Sequence, residues 1–201
     1  MKRFVALGAL TALVLAGCGL ISSPPIDNPF NLNGKQTSFT LGPNATAVGN
    51  AEVTTTFDNL KDLSNLPATP SSFTYNLGIS AIAFGTGCPT TIPSPIQVTL
   101  NATVEVSDTD GGTTRTASAS TTEAKFTITA SGGTVTVGNI SNGSMTFSNL
   151  DRLINILSTG TGANTAKLTA SLITSSTPDL ASGGPCTLVV TWGGGSGVVK
   201  F

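Results

Sequence analysis

Residues 96–107 read IQVTLNATVEVS. Ile96, Val98, Leu100, Ala102, Val104 and Val106 alternate with Gln97, Thr99, Asn101, Thr103, Glu105 and Ser107. A period of two sends the two sets to opposite faces of an extended chain, so this stretch predicts a strand with one face on a core and the other in water. After it, DTDGG at 108–112 reads as a turn. Residues 115–130, RTASASTTEAKFTITA, then return as a partner whose apolar face is Ala124, Phe126, Ile128 and Ala130.

The same reasoning, helped by Thr and Val enrichment, predicts strands near 36–41, 45–57, 72–84, 134–140, 143–148, 164–174, 186–192 and 197–201. Many short strands joined by Gly-rich turns indicate an all-β fold, an antiparallel β-sandwich with one or two short helices. The helical signal lies in SNLDRLINILSTG, residues 148–160. Leu150, Leu153, Ile154 and Leu157 fall on one helical face, Ser148 is placed to cap the start, and Gly160 to end it. An isolated helix of this length is marginal, so its apolar stripe is expected to pack on the sheets.

The segments TFDNLKDLSNL (56–66) and TFSNLDRLINI (146–156) share six residues in register, and each follows a VGN, at 48–50 and 137–139. The match suggests an internal duplication, with repeats near 45–90 and 134–190 inside one domain spanning 36–201. Phe57 and Phe147 would then be equivalent core residues, and Asn59 and Asn149 equivalent caps or turns. Closed membrane barrels also alternate, but at 5% aromatic the chain is too poor for two interfacial girdles.

Only 9% of the 201 residues are charged, so Ser, Thr, Gly and Asn carry the polarity. No Lys/Arg cluster exists to neutralise a phosphate backbone, which argues against nucleic acid as a partner.

The N-terminus carries an address. Lys2 and Arg3 precede an apolar run from Phe4 to Leu15. That run is too short for a spanning helix, which takes about 20 apolar residues, and matches the build of an export signal. Leu15, Ala16, Gly17 and Cys18 then resemble the lipobox of bacterial lipoproteins. The resemblance covers the signal alone. It implies removal of residues 1–17 and lipidation of Cys18 with diacylglyceryl and a further acyl chain such as palmitate. The product would be a cell-envelope protein whose membrane partner is held through lipid, since two or more chains give stable anchoring. Gly19 lacks the aspartate resembling an inner-membrane retention signal, which implies the outer membrane where there is one. An ordinary signal peptide with an incidental cysteine is the alternative.

Residues 18–35, rich in Pro, Asn and Ser, read as an extended tether. Removing Lys2 and Arg3 leaves seven basic residues against ten acidic, a net charge of −3. With Cys18 assigned to lipid, Cys88 in GTGCP and Cys186 in GGPCT remain. In a compartment where disulfides persist, a Cys88–Cys186 bridge is the one pairing available.

Catalytic signals are sparse. The chain has no histidine, which removes the commonest general base and transition-metal ligand. Glu105 and Glu123 are the carboxylates that a hairpin might bring together for glycoside chemistry, but both alternate with core residues and read as surface charges. Asp108 and Asp110 before Gly111 look like part of a calcium loop, yet Val106 and Ala117 stand where an EF-hand needs ligands, so a hairpin turn explains DTDGG better. No other metal, and no cofactor, is expected. WGGGSG at 192–197 lacks the Gly-Lys-Ser/Thr ending of a phosphate loop. Trp192, the sole tryptophan, alternates with Leu188 and Val190 and belongs to a core.

Two roles fit. One is a non-catalytic structural or interaction module of the envelope, with an envelope protein or a glycan as partner. The other is a carrier for a lipid or other hydrophobic ligand, in a cavity left by small core residues such as Ala81, Ala83, Ala102, Ala117 and Ala119.

Overall fold

The computed structural model describes residues 22–42, 47–60, 63, 69–110, 112–159, 164–175, 180–181 and 184–201. Its axis is the strand read first from the sequence. That strand, here β6, runs over Ile92–Asp110, following β1 (Ile26–Asp27), β2 (Gln36–Leu41), β3 (Ala47–Phe57), β4 (Ser72–Asn76) and β5 (Ile79–Phe84). It is longer than the alternation of residues 96–107 because Ile92 and Asp108 continue the same phase, and both are buried. Pro93 and Pro95 interrupt the early part: neither has an N–H to give a ladder, and the pairing register shifts between Ile92 and Ile96.

After β6 come β7 (Thr113–Ser120), β8 (Ala124–Ser131), β9 (Thr134–Ser141), β10 (Ser144–Thr146), α1 (Leu150–Thr159), β11 (Asn164–Thr174), β12 (Cys186–Trp192) and β13 (Ser196–Lys200). The return over 115–130 is two strands on the same edge of β6. β7 pairs with its second half and β8 with its first. Between them, Thr121 donates its N–H to the Ala102 carbonyl at 2.7 Å and accepts the Ala102 N–H on Oγ1 at 3.0 Å, holding the break against β6. β11 takes the other edge of β6, giving an antiparallel sheet in the order β3-β11-β6-β8-β9, with β7 beside β6.

The facing layer contains a corner. The single strand expected over 72–84 is broken into β4 and β5 at Leu77 and Gly78, opposite Gly193–Gly195 between β12 and β13. Below the break β12 pairs with β5 and β2, and above it β13 pairs with β4 and β1, β4 also taking β10. The Gly193 N–H donates to the Gly78 carbonyl at 2.9 Å, so the ribbon bends without separating. Such a corner needs residues without side chains. A Cβ on Gly195, whose φ is +63°, would lie 2.4 Å from the Asn76 carbonyl oxygen and 2.6 Å from Tyr75 Oη. WGGGSG is thus the hinge of a sheet.

The layers pack into an antiparallel β-sandwich over one continuous core. Its centre is Phe30, wholly buried, with ring centroids 4.8 Å from Tyr75, 5.7 Å from Phe57, 5.8 Å from Phe147 and 6.2 Å from Phe73. Phe30 lies in the segment expected to be a tether. From Ser22 onward that segment is instead part of the fold: Ser22 bridges Lys200, β1 pairs with β13, and Leu32 is as buried as Phe30. The polar composition of 22–35 hid two large apolar residues spaced by one, with no neighbours to extend the pattern. Trp192 is buried as expected, and its Nε1–H donates to Thr37 Oγ1 at 3.1 Å.

The helix is where the sequence places it, and it packs on β7 and β6. Leu153, Ile156 and Leu157 are fully buried. The first helical bond runs from the Leu153 N–H to the Asn149 carbonyl at 2.9 Å, so Asn149 rather than Ser148 holds the cap position. At the other end the Leu60 N–H satisfies the Leu157 carbonyl at 2.7 Å; Gly160 lies outside the described residues. The matched segments reach the same place from different sheets. Phe57 ends β3 of the larger sheet and Phe147 follows β10 of the facing layer, and both rings meet Phe30. Most of 61–68 lies outside the described residues.

Two outcomes are expected of the corner. Gly195→Ala combines a left-handed backbone with a contact no Cβ tolerates, and should lower unfolding free energy in a denaturant titration by about 3 kcal/mol. Tyr75, the only tyrosine, donates its hydroxyl to the Gly194 carbonyl at 3.0 Å, and burial pushes its phenol well above the ordinary 10.0. The unfolded chain therefore releases this proton first. The stability it contributes is complete below pH 10.0 and falls as pH rises beyond it. Tyrosinate absorbance should appear only together with loss of native circular dichroism.

Candidate functional site

An open cleft of about 480 Å³ lies between the β1–β2 connection and the end of β3. Asn28 and Asn31 from the first, and Thr56, Asp58, Asn59 and Leu60 from the second, line it over Pro29 and Phe57. Its shape follows from the burial of Phe30. To point that ring inward the chain turns sharply on both sides, with φ of +48° at Asn28 and +53° at Asn31, a conformation asparagine tolerates better than most residues. The turn is closed by the Asn31 N–H donating to the Asn28 carbonyl at 3.1 Å, and Asn28 Oδ1 accepts the Asn33 N–H at 3.2 Å.

Two side chains fasten this turn to β3. Asn31 Nδ2 donates to the Thr56 carbonyl at 3.0 Å, and buried Thr55 donates to the Phe30 carbonyl at 2.7 Å. Behind the cleft Asn164, with no exposure, donates from Nδ2 to Asn59 Oδ1 at 2.6 Å, while its own Oδ1 is buried without a partner. The lining is amides, a hydroxyl and one carboxylate. Amides hydrogen-bond in both directions without exchanging protons near neutrality, which suits recognition of a neutral polar ligand more than proton transfer.

None of the cleft residues was a sequence candidate for function, and Asn59 was read only as a cap or turn. Nothing in the spacing of Asn28, Asn31, Asn59 and Asn164 announces their meeting, because three chain segments contribute them.

The residues that were candidates lie elsewhere. Asp108 is not in a turn: it sits in β6 on the buried face, and its carboxylate receives Nε of Arg115 at 2.9 Å and a second bond from Nη2 of the same guanidinium. Arg115 is its direct cross-strand partner in β7. Two bonds from one guanidinium compensate this buried carboxylate, which stands in a strand and not in the turn expected over 108–112; the side chain of Asp110 lies outside the described residues. Among the described residues no group of three or more His, Cys, Asp or Glu gathers.

Glu105 and Glu123 are not brought together as a pair. Glu105 is opposed by Ser118 and Lys167, and Glu123 forms an exposed ion pair with Lys125 at 2.6 Å, beyond the break in the returning strand. Glu52, also exposed, has its carboxyl held below the usual range chiefly by a hydrogen bond from Lys167, at 2.9 Å.

Cys88 and Cys186 are disulfide-bonded, Cα atoms 4.4 Å apart, tying the loop after β5 to the start of β12 across 98 positions of sequence. Cys18 lies outside the described residues. Of the alanines that suggested a ligand cavity, Ala102, Ala117 and Ala119 are buried, but Ala81 and Ala83 point outward from β5. An unbroken strand over 72–84 would place both inside with Phe73 and Tyr75, but the corner at Gly78 resets which face is buried. Some hydroxyls pair across strands, as Thr40 with Thr187 at 3.0 Å and Ser107 with Thr165 at 2.7 Å.

Comparison with protein-family models, curated proteins and solved structures finds no match to this chain.

Removing Arg115 would leave a carboxylate with no exposure unpaired, so Arg115→Ala should cost about 3 kcal/mol in denaturant unfolding. The double variant Asp108→Leu, Arg115→Leu should recover most of that loss. Calcium should leave the melting temperature of the wild type unchanged.

Proposed function

We propose that this chain is a bacterial cell-envelope lipoprotein, anchored through acylated Cys18 and acting as a non-catalytic interaction module. The observation that carries the reading is the LAGC run at 15–18 behind a charged start and a short apolar core. A disulfide between Cys88 and Cys186 supports export, because such bonds persist in oxidising compartments. Gly19 supports the outer membrane in a cell that has one.

The interaction role draws on the cleft. Its amides and single carboxylate suit hydroxyl- and amide-bearing partners, such as a glycan or an envelope protein. The absence of histidine from the whole sequence, the engagement of Asp108 with Arg115 and the separation of Glu105 from Glu123 speak for binding over catalysis. The carrier reading loses Ala81 and Ala83 as cavity-forming residues.

The test is acylation. Wild-type protein expressed in a bacterium should incorporate labelled palmitate and fractionate with membranes. Cys18→Ser should carry no label and leave the membrane fraction. An unlabelled wild type with an unmodified N-terminal cysteine would sink the proposal.

A further inference from the structure

The distance between anchor and body follows from where the fold begins. Ser22 bridges Lys200, the Ser23 N–H donates to the Val199 carbonyl at 2.8 Å, and the Val199 N–H donates to Ser23 Oγ at 3.1 Å. On the other side of β13, Ser71 donates to the Lys200 carbonyl from both N, at 2.7 Å, and Oγ, at 3.1 Å. The chain is therefore fixed from Ser22 onward, and only residues 19–21 separate it from Cys18. Whatever conformation they take, four residue steps span at most about 14 Å.

We infer that the rim of the sandwich formed by Ser22, Pro24, Ser71 and Lys200 lies against the lipid headgroups, and that the protein rides on the membrane in one orientation. This rests on the lipid-anchor reading above. The partner is the headgroup layer of the bilayer that holds the acyl chains. A thioether-linked glyceryl group keeps Cys18 at the interface, and the headgroup region is itself about 5–8 Å deep, so a leash of this length cannot lift Ser22 clear of it by more than about 6–9 Å.

The rim suits that setting. Ser22, Pro24, Ser71 and Lys200 are all exposed, with hydroxyls, a proline and one ammonium and no large apolar side chain among them. Lys200 is held within about a Debye length of an anionic surface, where its charge is attracted. The opposite end of the ribbon, where Cys186 begins β12 and the Gly133 N–H meets the Thr90 carbonyl, is separated from Lys200 by the whole of β13 and β12.

The full, acylated chain tests this in vesicles of phosphatidylethanolamine and phosphatidylglycerol carrying a headgroup nitroxide. A fluorophore on Ser71→Cys should be quenched several-fold more than one on Thr134→Cys, an exposed position beside the Gly133 turn. Pro24→Cys gives a second reading on the same rim, and emission of buried Trp192 checks that each variant is folded. Inserting about twenty Gly/Ser residues between Leu20 and Ile21, a spacer of about 25 Å, should reduce quenching at position 71 to the level at 134 while leaving Cys18 and Gly19 intact.

Equal quenching at 71 and 134 in protein whose mass includes the acyl chains overturns the orientation alone. So does quenching at 71 that survives the insertion. A mass without acyl chains overturns the anchor itself, and this inference with it.

Discussion

The burial of one aromatic ring organises the molecule. Phe30 sits between both layers, and its neighbours Phe57, Phe73, Tyr75 and Phe147 come from three other parts of the chain, Phe73 and Tyr75 sharing β4. Driving a ring of this size out of water contributes about 2–3 kcal/mol by itself. Its larger effect is geometric. With Phe30 inside, residues 28–31 turn back on themselves, the asparagines on either side are left at the rim of a cleft, and the segment before them lies along β13. The Gly193–Gly195 corner is the matching concession on the other strand, since Asn28 Cβ and Tyr75 occupy the space that side chains there would need.

Around that centre the protein is built with few charges. Strand faces that elsewhere carry Lys and Glu carry Thr and Ser, and some of these hydroxyls bond to one another across the ladder, as Thr40 with Thr187, Thr103 with Ser120 and Ser107 with Thr165. The buried Asp108–Arg115 pair stands apart from this pattern. It closes the end of the β6–β7 hairpin with two parallel bonds, a geometry that only a guanidinium and a carboxylate provide. The disulfide acts at a different scale: closing a loop of about 100 residues contributes about 4 to 5 kcal/mol in the chain-entropy model. It ties β5 to β12, strands already paired, and so reinforces the ribbon against opening at its free end.

These features bear on function together. A charge-poor, cross-linked sandwich is compatible with the proposed location outside the cytoplasm, and because the chain is fixed from Ser22, the anchor proposed at Cys18 would be a short leash with a defined exit point. An orientation on the bilayer would in turn decide which surfaces other envelope components can reach. The walls of the amide-lined cleft are bound to each other through Asn31 and Thr55, so the recognition role proposed for it would use a preformed site.

Local pattern alone determined most of the strands and the helix, and it is the sole basis of the proposed export address. The alternation over 96–107, the leucine spacing of 150–157 and the LAGC motif are each read within a dozen residues, and the pairing of Cys88 with Cys186 followed by elimination. Tertiary structure decided the rest. Whether 72–84 is one strand or two depended on glycines more than a hundred residues away. Asp108 became a buried strand residue paired with Arg115 instead of part of a turn, and 22–35 became fold instead of tether because Phe30 found four rings. The physical reason is the same in each case: periodicity reports which face of an element is apolar, whereas a corner, an ion pair or a cleft depends on which distant atoms come to fill the space beside it.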